Sequence, residues 1–329
     1  MRKAEKHMLS HKISIAPMIS CTDRHFRYLV RLITKHTVLY SEMITTGAVI
    51  FGDKERHLGF NDGENPVVFQ VGGNNPGDMA KAASIVESYN YDEININVGC
   101  PSERVQSGKF GACLMAEPEL VASCVKAMRK EIDIPVTIKT RLGFYDSYKY
   151  ETLRNFIDIN HDAGCETFII HARTARLDGF SPRQNRELLP VKYEEVYRLK
   201  QDYPDLTIVI NGDITERGQI NAHMDYVDGV MIGRAAYSNP IMLEGVDSEF
   251  FGDPMSKAIS RKELVSEYSN YMEQQLKKGV PLHIMVKHII TIFQGVGGAK
   301  CWRRYLSENI TSKKGSIDVI SKALDLVDV

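Results

Sequence analysis

The sequence predicts a (β/α)8 TIM barrel with a C-terminal all-helical domain, and three observations carry that expectation. Eight short β-branched runs recur through residue 236, with amphipathic segments between them. The runs are almost continuously apolar rather than alternating, as parallel strands buried on both faces require. After about residue 245 no such run recurs, and the remainder reads as helix. A doubly wound open sheet is the alternative, but it calls for a dinucleotide-binding glycine fingerprint that this sequence lacks.

The strands in order are ISIAPMI (13–19), VLYSEMI (38–44), PVVFQVG (66–72), EININVG (93–99), PVTIKTR (135–141), TFIIHAR (167–173), TIVINGD (207–213) and VMIGRAA (230–236). Helices at 23–36, 77–90, 118–131 and 150–164 repeat apolar residues at helical spacing. The long loops are expected after strand four (99–116) and strand six (174–190). The tail reads as three helical stretches, 262–279, 283–310 and 316–327. These features place a catalytic barrel at 1–244 and a helical domain at 245–329.

Among 329 residues, 43% are apolar and 25% charged, ordinary values for a globular protein. No run approaches the 18 or so apolar residues that cross a bilayer, and MRKAEKHMLSHK lacks the apolar core of a secretory signal. A cytoplasmic location is expected. Six cysteines without a CxxC pair read as free thiols, mostly packing residues, and no Cys/His spacing suggests a metal. The net charge of −1 hides a split: 256–316 carries eleven Lys/Arg against four Glu, a surplus of seven, so the remainder is −8. Such a split suggests that the tail meets a polyanion, the alternative being a solvated helical face.

Barrel active sites form at the C-terminal ends of the strands. Those ends supply Pro17 and Met18, Gln70, Asn97 and Cys100, Lys139, His171, Asn211-Gly212-Asp213, and Gly233-Arg234. Loops after strands seven and eight commonly bind a phosphate through backbone N–H groups, and Arg234 would add a charge-assisted bond. Gln70 offers a donor and an acceptor to a planar heterocycle, while Lys139 and His171 suit the negative charge of a reduced ring. These demands fit flavin mononucleotide (FMN); a sugar-phosphate substrate shares the phosphate half of them. A thiol ordinarily titrates near about 8.5 and so keeps its proton at neutral pH, which suits Cys100 to act as an acid. A nucleophilic Cys100 needs an adjacent base, and His171 is a conceivable one.

The motifs IAPMISCTDRHFR (15–27), VFQVGG (68–73), NINVGCPSERVQSGKFGACLM (95–115), TIKTRLG (137–143), HARTA (171–175), NGDI (211–214) and IGRAAYSNP (232–240) resemble those of the tRNA-dihydrouridine synthases. The loop LDGFSPRQNRELLP (177–190) is similar to that of the bacterial A subgroup, and the likeness spans essentially the whole chain. It implies an FMN enzyme that uses NADPH to reduce the C5–C6 bond of D-loop uridines 20 and 20a in tRNA. It further implies that Cys100 protonates C5 after hydride reaches C6, and that Asn97 helps place the uracil. Pro17, Met18, Gln70, Lys139, His171, Asn211, Gly212, Asp213, Gly233 and Arg234 would hold the FMN.

A uridine inside tRNA must leave its stack to reach a flavin, so a surface that tracks phosphates is required away from the pocket. Lys300, Arg303 and Arg304 in the tail, Arg183 and Arg186 after strand six, and Lys109 after Cys100 are the candidates. Trp302 reads as a core anchor more readily than as a base-stacking platform. Two rival readings stand beside the synthase. An FMN barrel that reduces a small pyrimidine or enone leaves the basic tail without purpose. A non-catalytic tRNA-binding protein leaves Cys100, Lys139 and His171 without one.

Overall fold

A computed structural model describes residues 9–61, 63–254, 258–310 and 316–328. Lys257, Lys313 and Lys314 of the basic tail lie outside the described residues. Eight parallel strands close into a barrel in sequence order: β1 (Ile13–Ile15), β2 (Val38–Thr45), β3 (Val67–Gly72), β4 (Glu93–Val98), β5 (Val136–Arg141), β6 (Thr167–His171), β7 (Thr207–Asn211) and β8 (Gly229–Ile232). All eight expected strands are present, each inside or within a residue or so of its expected span.

Why these segments become strands is visible in their burial. Every residue of β3 and β4 is buried, because one face looks into the barrel and the other meets the helical layer. Inside, Ala16, Val38, Tyr40, Val68, Ile169, Val209 and Met231 form one apolar cluster drawn from five strands and the residue after β1. Each large aliphatic side chain so buried contributes roughly 2 kcal/mol from the hydrophobic effect. The pleat then places Glu93, Asn95 and Asn97, all buried, on the inner face of β4. The barrel interior is thus apolar on one side and carries a polar seam along β4 and β5.

The connecting helices begin where the sequence supplies caps. Asn75 accepts from the backbone N–H of Asp78 at 3.0 Å, and Pro76 opens the helix Pro76–Glu87 at the position where its missing N–H costs nothing. The long loop after β4 is partly ordered, with a short helix Glu103–Ser107 and a 3-10 turn Gly111–Ala116.

Contacts divide the chain into two compact units: the chain up to Ile19 with Thr37–Gly233, and Ser20–His36 with the chain from Arg234 onward. The division differs from a single cut at 244/245. Residues 20–36, which include the expected barrel helix 23–36, share a core with distant helices. Within this second unit Phe26 packs on Tyr237 and His288, with ring centroids 5.0 and 5.7 Å apart, and Tyr28 stacks on Tyr271 at 3.9 Å. Asp247 accepts from the backbone N–H groups of Lys35 and His36 at 2.7 and 3.2 Å.

The second unit has helices and turns but no strand among its described residues, with Arg261–Lys277 and Ala299–Asn309 its longest helices. Ser260 and Glu263 form a reciprocal capping box at the start of the first. The stretch 283–310, expected as one helix, is broken: helix Leu282–Val286 ends early, and Gly295 and Gly298 take φ of 83° and 78° before Ala299–Asn309 begins. Trp302 is fully buried, edge-on to Phe293 at 4.9 Å, and its indole N–H donates to the Ile289 carbonyl at 3.2 Å. It is a core anchor.

Candidate active site

Strand register brings the expected residues to one rim. Asn97 pairs with Lys139 in the β4–β5 ladder, Arg141 with His171 in β5–β6, and His171 with Asn211 in β6–β7. Their side chains meet. The Lys139 ammonium donates to the Asn211 side-chain carbonyl at 3.0 Å, and the Asn211 amide donates to the Met231 carbonyl at 2.7 Å.

Cys100 stands two residues beyond the end of β4, half-buried, in a turn held from several sides. The side-chain oxygen of Asn97 accepts from the backbone N–H groups of Gly99 and Cys100 at 3.2 and 3.0 Å. The Cys100 carbonyl accepts from Ala112 N–H at 2.9 Å. Gly111 makes that bond possible. Its φ is 73°, and a side chain there would meet the Cys100 carbonyl at 2.7 Å and Val105 at 2.4 Å. The Cys100 Sγ lies 3.5 Å from the Ser102 hydroxyl.

Two arginines that strand-end counting passed over complete the rim. Arg141, 4% exposed, donates through Nε to the Gly99 carbonyl at 2.9 Å and through Nη1 to the Thr174 carbonyl at 3.0 Å. Arg173, also buried, donates through Nε to the Leu189 carbonyl at 2.7 Å and forms an ion pair with Asp213. Period two would have found both, since 141 and 173 follow 139 and 171 on the same strand face.

So many cations in one buried place shift each other. Burial pushes the Lys139 ammonium down to about 7, Arg141 pushes it the same way, and an ionised Cys100 pulls it back up. Burial, then the charges of Arg141, Lys139, Arg173 and Arg186, holds His171 well below the ordinary imidazole value. His171 is therefore neutral at physiological pH, a hydrogen-bonding group rather than a cation.

The turn after β7 is shaped for close approach. Gly212 has φ 128°, a side chain there would stand 3.0 Å from the His171 ring, and Asp213 follows at φ 48°. The Tyr193 hydroxyl donates to the Gly212 carbonyl at 2.8 Å and fixes the turn. Arg173 balances the Asp213 carboxylate, so the turn does not present bare negative charge. A turn without a side chain at Gly212, a buried ammonium and neighbouring arginines suit an anionic, planar cofactor such as a flavin phosphate.

The remaining expected residues are distributed as follows. Pro17 and Met18 follow β1 half-exposed, and Met18 Sδ would lie 4.0 Å from a side chain at Gly233. Gln70 is only 1% exposed and both ends of its amide are engaged, which leaves one N–H and one lone pair for a ligand. Arg186 is near enough for its charge to reach His171 and Arg141. Lys109 is exposed at φ 54°, its carbonyl accepting from Asn74 at 3.0 Å. Arg183 is exposed and pairs with Glu187 at 2.9 Å. In the second unit, Arg234 begins the helix Arg234–Ser238, exposed. Lys300, Arg303 and Arg304 are exposed along Ala299–Asn309, with Glu308 3.9 Å from Arg304.

A cavity of about 360 Å³ opens at the other, N-terminal end of the barrel, beside His11, Glu93, Thr137, Thr167 and Thr207. It includes none of the rim residues. Among the described residues no group of three or more His, Cys, Asp or Glu is placed to hold a metal, and no helix is long and apolar enough to cross a membrane.

The fold and site together are a closed parallel barrel with a cysteine, a lysine, a histidine and two arginines gathered around one rim, the arrangement of a barrel enzyme. The dihydrouridine synthase (Dus) family pattern matches residues 14–327, and the chain belongs to that family, whose members are flavin-dependent oxidoreductases. It is 50% identical over 318 residues to a tRNA-dihydrouridine(20/20a) synthase of Vibrio parahaemolyticus, covering 96% of each chain. To proteins of the same name it is 49% identical in Escherichia coli, covering 98% of each, and 47% identical in Synechocystis, covering 95% of this chain and 93% of that one. Among solved structures, a 2-naphthoyl-CoA reductase complex superposes with a TM-score of 0.54 over 75% of this chain and 51% of that one. At 12% identity that likeness concerns the fold alone.

Proposed function

We infer that this chain reduces the C5–C6 bond of uridine in tRNA to 5,6-dihydrouridine, at positions 20 and 20a of the D-loop, with FMN bound at the rim and NADPH as its reductant. The observation that carries this reading is the placement of Cys100. Its backbone is fixed by Asn97, Ala112 and Arg141, on a rim shared with Lys139, His171 and the Gly212 turn.

Bound and reduced, FMN would supply the hydride that uracil C6 takes up. Cys100 Sγ gives the proton that C5 then requires, as a general acid. The free N–H of the Asn97 amide is available to orient the uracil beside that sulfur. Lys139, and the fixed charges of Arg141 and Arg173, oppose the negative charge that accumulates before protonation. Pro17, Met18, Gln70, His171, Asn211, Gly212, Asp213, Gly233 and Arg234 complete the cofactor's surroundings. The flipped uridine and its flanking phosphates need a basic track, for which Lys109, Arg183, Arg186, Lys300, Arg303 and Arg304 are the candidates.

The test is the visible spectrum of the purified protein, followed by anaerobic reduction with NADPH and addition of unmodified tRNA. Reoxidation of the bound flavin by tRNA but not by free uridine supports the reading. Reoxidation by free uridine or an enone favours a small-molecule reductase. A colourless protein that takes up no flavin favours a tRNA-binding protein without catalysis.

A further inference from the structure

The polar seam inside the barrel is one continuous line of hydrogen bonds with a single direction. The Cys100 N–H donates to Asn97 Oδ1 at 3.0 Å, and Asn97 Nδ2 donates to Gln70 Oε1 at 2.9 Å. Gln70 Nε2 donates to Asn95 Oδ1 at 2.8 Å, and Asn95 Nδ2 donates to Thr137 Oγ1 at 2.9 Å. The Thr137 hydroxyl donates to Glu93 Oε1 at 2.6 Å. Glu93 Oε2 in turn lies 2.9 Å from His11 Nε2. The five side chains from Asn97 to Glu93 are between 0% and 8% exposed.

The direction is not a matter of choice. A backbone N–H can only donate, so the line starts as donor at Cys100 and ends on the Glu93 Oε1 that accepts from Thr137. With those two groups at the ends, each amide between them has one orientation that leaves no buried donor facing a donor. A flip of Gln70 or Asn95 would set two N–H groups, or two oxygens, against each other in the barrel core, leaving buried groups unsatisfied. A row of Leu or Val in these positions would pack the interior as well, so packing does not explain the amides.

We propose that Glu93, at the base of the barrel, is a remote positioning residue for Cys100: through Thr137, Asn95, Gln70 and Asn97 it fixes which face the Asn97 amide presents and thereby where the Cys100 turn sits. The proposal deepens the reading of Cys100 as the proton donor and rests on it for its catalytic consequence. The geometric consequence can be read independently. Asn97 is both a link in the line and the residue that accepts from the Cys100 backbone, so a change at Glu93 or Thr137, neither of them assigned to tRNA or cofactor, reaches the sulfur by way of Gln70 and Asn97. Thr137 is the weak point. It is the one hydroxyl, it relays by donating and accepting through a single atom, and its replacement by Val keeps the shape while removing both bonds.

The experiment compares Thr137→Val, Thr137→Ser and Glu93→Gln with the parent protein, each as the full chain loaded with FMN. Three quantities are read: FMN affinity, single-turnover reoxidation by tRNA, and the rate at which iodoacetamide labels Cys100, by peptide mass spectrometry with exposed Cys301 as the internal standard. Thr137→Val is expected to change the Cys100 labelling rate severalfold against Cys301 and to slow reoxidation about tenfold, as a misplaced reacting group does. FMN affinity is expected to shift far less than either rate, Gln70 being one of several groups around the cofactor, and Thr137→Ser to restore both rates. In a Cys100→Ala background, Thr137→Val should cost nothing further. Unchanged labelling and reoxidation in Thr137→Val overturn the proposal. So does a loss that Thr137→Ser fails to rescue, or that persists in full without Cys100. If labelling responds while Cys100→Ala turns over normally, the line positions the turn and it is the proton-donor reading that fails. Glu93→Gln, which can donate where Glu93 only accepts, should reproduce the Thr137→Val effect if it folds; Thr137→Val decides the matter if it does not.

Discussion

Lys139 and Asn211 meet across β6: the ammonium on β5 donates to the side-chain carbonyl on β7 at 3.0 Å. Among the described residues no carboxylate pairs with the Lys139 ammonium, and burial brings it down to about 7. Lys139 is therefore charged below about pH 7 and neutral above it, so its attraction for an anionic cofactor is present on the acid side. FMN affinity is expected to weaken as pH rises through neutrality, and Lys139→Met to remove that dependence. Titration of flavin fluorescence at several pH values checks it; equal slopes in both proteins would exclude Lys139 from the cofactor site.

Cys100→Ala should leave the flavin spectrum unchanged and slow tRNA-dependent reoxidation by the ~10²–10⁴-fold typical of losing a general acid. Wild-type reoxidation in that variant would remove the sulfur from the mechanism.

Arg141 spans two carbonyls, those of Gly99 and Thr174, with different nitrogens of one planar fork. Lysine carries the charge but cannot hold both. Arg141→Lys is expected to cost about 10-fold in kcat with little change in KM for tRNA, because the turn that carries Cys100 loses one of its anchors. A pure KM effect would mean that the guanidinium acts on the RNA instead.

The second unit should be acid-sensitive. Burial is the main reason that His25, whose Nδ1 lies 2.7 Å from the Tyr271 hydroxyl, is pushed down to about 4. A histidine depressed in the folded state binds its proton more readily when unfolded. Stability is therefore full above about pH 6.5 and is lost as pH falls toward about 4, by about 3 kcal/mol. Asp23 behaves differently. Burial alone would raise it, yet His288 at 2.9 Å and Lys287 at 2.8 Å hold it well below the usual carboxylate range. Its contribution therefore persists until much stronger acid. Urea midpoints measured from pH 7.5 to 4.5 should fall in the parent and fall less in His25→Phe.

Arg303→Ala should weaken tRNA binding across all sequences and reduce the slope of log K against log salt by about 1, as losing one phosphate contact does. An unchanged slope would turn that face of Ala299–Asn309 away from the RNA.

Much of this was legible beforehand, and the exceptions have physical causes. The eight strands could be read because strands buried on both faces are written as unbroken apolar runs. The rim was legible because a barrel places its chemistry at strand ends. Arg141 and Arg173 lie one pleat further on and were missed. Residues 23–36 read as a barrel helix because Phe26 and Tyr28 look the same whatever they pack on, and their partners are more than 200 residues away. The break within 283–310 was signalled by Gly295, Gly297 and Gly298, against the pull of an otherwise helical pattern. The line from Cys100 to Glu93 could not be read at all. A glutamate at the start of a strand is ordinarily a solvated residue, and its partners here come from neighbouring strands.

Trp302 is the only tryptophan in the sequence, and it is wholly enclosed in the helical unit. Its emission is consequently a private optical label for that unit, supplied without dye or engineering, while a bound flavin would give the barrel a colour of its own. Heating the holoprotein while watching both chromophores would tell whether barrel and helices melt as one body or in succession: coincident curves mean a single cooperative structure, and displaced curves mean two.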